Sequence, residues 1–183
     1  MQNKSTPKAA NIAVLVMGLP GTGKTTLARD IAVALDGWHL SSDRLRIQLE
    51  SRGKYSAGDK DRVYAFLIEQ MEEFLTRGEN LVVDATFSNP DHRRRACELV
   101  IQQSRPLYII ETWAPEKEIK KRLKKQRPES EADFEVFKLV QAQYPPILIP
   151  HLRLDTHSHS LKQNIINALK YIEHGRPILT SVS

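Results

Sequence analysis

The sequence predicts a three-layered α/β fold in which a parallel five-stranded sheet is covered by helices on both faces. Short apolar runs recur near 12–17, 38–40, 81–84, 107–112 and 152–154, and segments with helical spacing lie between them. The runs are too continuously apolar to face water on one side, as expected of parallel strands buried on both. The first run also enters a glycine-rich turn, Gly18 to Gly23, from which an apolar-periodic helix leaves.

Each element follows in order. The first helix starts at Lys24 to Thr26 and carries Leu27, Ala28, Ile31 and Leu35 toward Gly37. The segment 59–77 sets Val63, Phe66, Leu67, Ile68, Met71, Phe74 and Leu75 at three- and four-residue spacings and stops at Gly78, the pattern of an amphipathic helix with a glycine C-cap. Further helices are expected over 91–103, 115–127 and 131–143. The last, 160–174, is expected to bury Leu161, Ile165, Ile166, Leu169 and Ile172 before Gly175. Crossovers between parallel strands should be right-handed. One domain over 11–175 is expected between a flexible tail, 1–10, and a C-terminal tail, 176–183, with a lid at about 115–130.

A chain of 183 residues with 40% apolar content suits one soluble domain with a sizeable core. No apolar run is long enough to span a bilayer and the first ten residues lack a signal-peptide core, so a cytoplasmic protein without membrane contact is expected. Cys97, the single cysteine, reads as a packing residue. The net charge of +5 favours an anionic ligand. The excess is local: between Lys117 and Arg127 seven basic residues face one acid, Glu118, mostly a solvated helix face.

Gly18-Leu19-Pro20-Gly21-Thr22-Gly23-Lys24-Thr25 fits the phosphate-loop pattern G-x-x-x-x-G-K-[ST]. Its glycines let main-chain N–H groups turn inward around phosphate oxygens, and the helix that begins at Lys24 to Thr26 adds its positive end. Lys24 is placed to reach the β- and γ-phosphates of ATP and Thr25 to ligate Mg²⁺. A dinucleotide fold is disfavoured, because G-x-G-x-x-G is not matched.

Three other clusters bear on the terminal phosphate. The second strand runs into Ser41-Ser42-Asp43-Arg44-Leu45-Arg46, and a carboxylate there, at Asp43, can accept the proton of an attacking hydroxyl. Arg46, one helical turn later, can pair with Asp43 or hold an anionic acceptor, while Ser42 or Asp43 also suits the N-cap of the next helix. Leu81-Val82-Val83-Asp84 has the Walker B form, with Asp84 as a second Mg²⁺ ligand. Of Arg93 to Arg95, at most two can look into one site. Arg122 and Arg127 are candidates to neutralise charge on the transferring phosphoryl group, the break at 128–130 allowing a lid to move. His151, His157 and His159 lack a further well-spaced ligand and read as a solvated turn. Tyr55 and Tyr64 read as packing residues before base-stacking ones.

The stretches GLPGTGKTTLA, SSDRLR, VVDATFSNPDHRRR and IKKRLKKQRPESEADFEVFKLVQAQYPP, in this order, resemble the AAA-like P-loop kinase family that holds polynucleotide 5′-hydroxyl kinases and zeta-toxin relatives. The likeness spans about 12–156. It implies a nucleoside-monophosphate-kinase-like sheet of order 2-3-1-4-5 and a D-x-x-R motif whose base and substrate-side arginine fall on Asp43 and Arg46. It implies acceptor-side roles for Asp84 and for Arg93, nine residues later, and lid roles for Arg122 and Arg127. Relatives often carry R-L-x-x-R in the lid, whereas here Gln126 holds that spacing and Arg127 follows it. Adenylylsulfate kinases share a similar opening. The expected function is therefore Mg²⁺-dependent transfer of the ATP γ-phosphoryl to a hydroxyl acceptor, a small metabolite or nucleotide ahead of a nucleic-acid 5′ end. The alternative is a nucleotide-dependent binding module or slow ATPase.

Overall fold

The computed structural model describes residues 11–49, 56–124 and 133–179. Among them the strands are β1 (Ala13–Met17), β2 (Trp38–Ser41), β3 (Leu81–Asp84), β4 (Leu107–Trp113) and β5 (Leu152–Asp155), all parallel in the order β2-β3-β1-β4-β5. The helices are α1 (Lys24–Ala34), α2 (Ser42–Gln48), α3 (Ala57–Thr76), α4 (Pro90–Gln102), α5 (Glu116–Leu123), α6 (Phe134–Ala142) and α7 (Leu161–His174).

Alternate side chains of the central strands build two cores. Leu15, Val83 and Ile109 meet Leu67, Met71 and Leu75 of α3 and Ala96, Cys97 and Val100 of α4. On the other face Val14, Val16, Val82 and Ile110 meet Leu27 and Ile31 of α1 and Ala168 and Ile172 of α7. Every residue of β1 and β3 is buried, which is why these strands read as apolar runs without alternation. A Ser56–Asp59 capping box starts α3, and Gly78, at φ 74°, follows its end as a left-handed C′ residue.

One sequence expectation needs adjusting. In α7 the buried stripe runs through Asn164, Ala168 and Ile172, so Leu161 and Ile166, expected inside, stand exposed. The stripe is set by positions four apart facing α1, and Ile165 packs at its border. Past α7, the N–H of Ile178 donates to the carbonyl of Leu107 at 2.9 Å in an antiparallel bridge. That edge of β4 is open because β5 pairs only from Ile110 onward.

Asn80 ties strand entries to the first helix. Its Oδ1 accepts from the N–H of Ile12 at 3.0 Å and its Nδ2 donates to the carbonyl of Leu35 at 2.7 Å. Asn80→Ala leaves a buried main-chain N–H without a partner, which costs about 1–3 kcal/mol. Urea unfolding should show this loss with an unchanged m-value.

Candidate functional site

β1 delivers the chain at Met17 to a loop that only glycine can open. Gly18 has φ 140°, and a Cβ there would stand 2.4 Å from the carbonyl oxygen of Thr112. Gly23, at φ 90°, is the left-handed N-cap of α1, so the first N–H groups of the helix face the loop interior. Between them Thr22 is pinned, its Oγ1 bonding the carbonyl of Leu19 at 2.7 Å and the hydroxyl of Thr112 at 2.8 Å. Lys24 is buried, its Nζ donating to the carbonyl of Leu19 at 3.0 Å. The ammonium is thus held inside the curl of the loop, where the phosphates of a nucleotide would sit. Leu19 and Pro20 follow Gly18 in the loop, with Leu19 packed against a cluster of Ala114, Ile119 of α5 and Phe137 of α6.

The second residue of α1, Thr25, donates its hydroxyl to Asp84 Oδ2 at 2.8 Å. Asp84 ends β3 beside Val16 of β1 and is almost wholly buried. Its other oxygen, Oδ1, bonds Nε2 of His39 on β2. A hydroxyl and a carboxylate are hard oxygen donors that suit Mg²⁺, which takes one or two carboxylates and completes its shell with substrate phosphates and water. No group of three His, Cys, Asp or Glu side chains able to cage a metal occurs among the described residues. The donor set therefore fits Mg²⁺ carried in with a nucleotide.

At the end of β2 the chain turns into α2. The N-cap is Ser41, in extended conformation and without a side-chain cap bond. Ser42 and Asp43 are thus the first helical residues and not the cap that their residue types suggested. Because β3 lies between β2 and β1, β2, from which α2 departs, runs two strand spacings, roughly 10 Å, across the sheet from β1. Arg46 follows in the last turn of α2. The Tyr64 hydroxyl lies within electrostatic reach of Asp43, Arg46 and Tyr144, and burial raises it far above the usual phenol range against the N–H of Phe87, which donates to it. Tyr64 stacks on His92 with ring centres 4.1 Å apart, so it packs as expected; Tyr55 lies outside the described residues.

The loop after Asp84 is fixed at Phe87, a non-glycine residue at φ 50°. Its N–H donates to Tyr64 and its carbonyl accepts from Arg93 at 3.0 Å. The same guanidinium donates to the carbonyls of Pro145 and Pro146 and lies 5.7 Å from the ring of Tyr144. Arg93 thus joins the β3–α4 loop to the chain after α6, with Nε buried and unpartnered. Burial pushes the Tyr144 hydroxyl up to about 12, opposed by the Arg93 charge. Arg94 pairs with Glu98 on the exposed side of α4.

The other flank of the loop is a 320 Å³ cavity lined by Gly23, Thr26, Leu27, Arg122, Thr156 and Asn164, among others. Arg122 donates to Thr156 Oγ1 at 2.9 Å, to the Thr156 carbonyl at 2.7 Å and to Glu118 at 3.1 Å. The Arg122 bond holds the Glu118 carboxyl below its usual range. Arg122 therefore stands beside the start of α1 in this structure, on the flank of the loop opposite to Asp43; Arg127 lies outside the described residues. Arg122→Ala should weaken ATP binding about tenfold by calorimetry, the worth of roughly one hydrogen bond to a charged group, without loss of fold.

Thr112, Thr156 and His39 escaped the sequence reading. Thr112 and His39 show only as polar residues inside short apolar strands, and Thr156 as a hydroxyl residue just past β5. Thr156 Oγ1 bonds the carbonyl of Thr22 at 2.8 Å, 134 positions away, a pairing that local pattern does not carry.

The AAA domain family matches residues 14–147. An uncharacterized protein of Mycobacterium tuberculosis (strain ATCC 25618 / H37Rv) is 32% identical over 95 residues, covering 45% of this chain and 19% of that protein; one of Mycobacterium bovis matches equally. The chain spans about a fifth of the length of these relatives. Among solved structures, the Mycobacterium tuberculosis APS kinase CysC in complex with AMPPNP and APS aligns at TM-score 0.71 and 18% identity, over 90% of this chain and 98% of that one. A gluconokinase from Sinorhizobium meliloti 1021 gives 0.70 and 18%, over 89% and 92%. Shikimate kinase from Acinetobacter baumannii in complex with shikimate gives 0.63 and 16%, over 88% and 93%. These likenesses establish the fold, and no helix among the described residues is long and apolar enough to cross a membrane. With its family match covering most of the chain and a phosphate loop set at the carboxyl end of the central strand, the protein belongs to the AAA domain family.

Proposed function

We propose that the protein is an ATP-dependent kinase that moves the γ-phosphoryl group to the hydroxyl of a small metabolite or nucleotide. The observation that carries this reading is the separation of two polar sets along one sheet edge. Lys24, Thr25 and Asp84 crowd the end of β1 and β3, while Asp43 and Arg46 stand beyond β3 at the end of β2. An acceptor held between this phosphate cradle and the Asp43 carboxylate would be placed as phosphoryl transfer in line requires.

The residues then divide the work. Main-chain N–H groups from 18–25 and Lys24 hold and neutralise the phosphates, with the start of α1 behind them. Thr25 and Asp84 would hold Mg²⁺, whose charge neutralises phosphate oxygens when bound. Asp43 takes the proton of the attacking hydroxyl as its oxygen bonds to phosphorus and the bond to ADP breaks. Arg46 faces an anionic part of the acceptor, and Arg93 holds the two loops that wall that side. Arg122 contacts the nucleotide from the lid; Arg127 is proposed to join it when the lid closes.

Small acceptors are favoured over nucleic-acid ends on two grounds. The basic residues Lys117, Lys120 and Lys121 of α5 and its C-cap Lys124 are exposed, following β4, which lies on the other side of β1 from β2 and Asp43. APS kinase, gluconokinase and shikimate kinase, which share the fold, are named for small acceptors. Acceptor-dependent ADP release, screened over hydroxyl metabolites, nucleosides and 5′-hydroxyl oligonucleotides, tests the reading. Stimulation by one chemical class is expected, and a rate indifferent to every acceptor would count against it.

A further inference from the structure

Asp84 is held at both oxygens by residues from different elements. Thr25 of α1 donates to Oδ2 at 2.8 Å, and His39 of β2 meets Oδ1 through Nε2. The His39 side chain is 8% exposed and that of Asp84 2%, so water does not compete for the contact. The strand register explains the reach. His39 stands beside Val82 and Ser41 beside Asp84, so the imidazole leans along the sheet to the diagonal neighbour on the same face. Nδ1 of His39 is buried with no partner. A carboxylate oxygen accepts, so Nε2 is the donor in this bond. A buried ring with one nitrogen unsatisfied is a poor choice for stability alone, since an apolar residue of that size would pack in β2 without the cost.

We propose that His39 is a positioning residue for the Mg²⁺ site, fixing the Asp84 carboxylate so that its remaining lone pairs face the space beside Thr25 and the phosphate loop. A carboxylate held at one oxygen has a broad terminal torsion. Held at both, it presents one orientation to an incoming metal–nucleotide complex. Hydrogen-bond partners of metal ligands typically change metal affinity by about 10- to 100-fold when removed. The inference rests on the kinase reading insofar as Thr25 and Asp84 are taken as the metal's protein ligands.

The test uses Mn²⁺ as the probe ion, followed by electron paramagnetic resonance in the presence of ADP, so that no turnover is needed. His39→Leu keeps bulk and loses the donor, whereas His39→Gln returns a donor near the position of Nε2. His39→Leu should weaken Mn²⁺ binding in the ADP complex by about 10- to 100-fold, with metal-free ADP affinity within about twofold, and His39→Gln should recover most of it. Equal Mn²⁺ affinity in wild type and His39→Leu would overturn the proposal. Should His39→Leu not fold, nitrogen NMR of the wild-type imidazole in the Mn²⁺-free and Mg²⁺–ADP states decides. The Nε2–H tautomer in both supports the proposal, and an Nδ1–H tautomer or loss of the Asp84 contact on Mg²⁺ binding overturns it. Absence of ADP-dependent Mn²⁺ binding in wild type would instead strike at the kinase reading itself.

Discussion

Asp43→Asn is expected to leave ATP affinity nearly unchanged while acceptor phosphorylation falls by about 10²- to 10⁴-fold, the usual worth of a general base. The geometry separates the two quantities. Asp43 sits in the first turn of α2, at the end of a strand that β3 separates from β1 and its phosphate loop, and an amide there keeps the side chain's size. Asparagine keeps the shape and can still accept a hydrogen bond, but it cannot take the proton. Calorimetry with ATP beside steady-state rates with a saturating acceptor separates the terms. A comparable fall in both would place Asp43 in nucleotide binding.

Lys24→Ala should act on both. Removing the ammonium takes away a charge-assisted contact worth about 1.5–3 kcal/mol, or about 10- to 150-fold in ATP affinity. Transfer should fall further, because charge spread over the phosphoryl oxygens in the transition state is met by the same group. The fold should survive. Alanine forfeits the bond to the Leu19 carbonyl among others, and the loop keeps the Thr22–Thr112 and Thr22–Thr156 bonds that brace it. Thermal unfolding without nucleotide, compared with the shift that ATP produces, checks this: a small change in the first and loss of the second.

Sequence pattern carried most of the framework and the half of the site that lies on it. All five strands fall at the short apolar stretches; β1 and β3 are buried at every residue and read as unbroken runs, while the edge strands β2 and β5 are partly exposed and show as shorter, interrupted ones. The phosphate loop and Asp84 were legible for the same local reason, since strand, turn and helix follow one another in sequence. The strand order came from family resemblance and not from periodicity, because no local pattern says that β3 lies between β1 and β2. That gap matters at Asp43, whose distance from the loop depends on the intervening strand. Contacts between distant segments were the least legible. Arg122 of α5 reaches Thr156 just past β5, Arg93 places its amino groups on the carbonyls of Phe87, Pro145 and Pro146, and His39 reaches Asp84 on the neighbouring strand. A single arginine or histidine in sequence shows the charge it brings but not the carbonyl or carboxylate it will meet.

The central claim is that phosphate bound at Lys24 leaves on an acceptor held toward Asp43. Transfer of label from γ-labelled ATP, with Mg²⁺, into a pool of hydroxyl metabolites and in parallel into a 5′-hydroxyl oligonucleotide, tests it most directly. The account predicts a labelled organic product in the metabolite pool, formed in step with ADP and lost in Asp43→Asn. Label appearing as inorganic phosphate alone, at the same rate with Asp43 or Asn at that position, would contradict it.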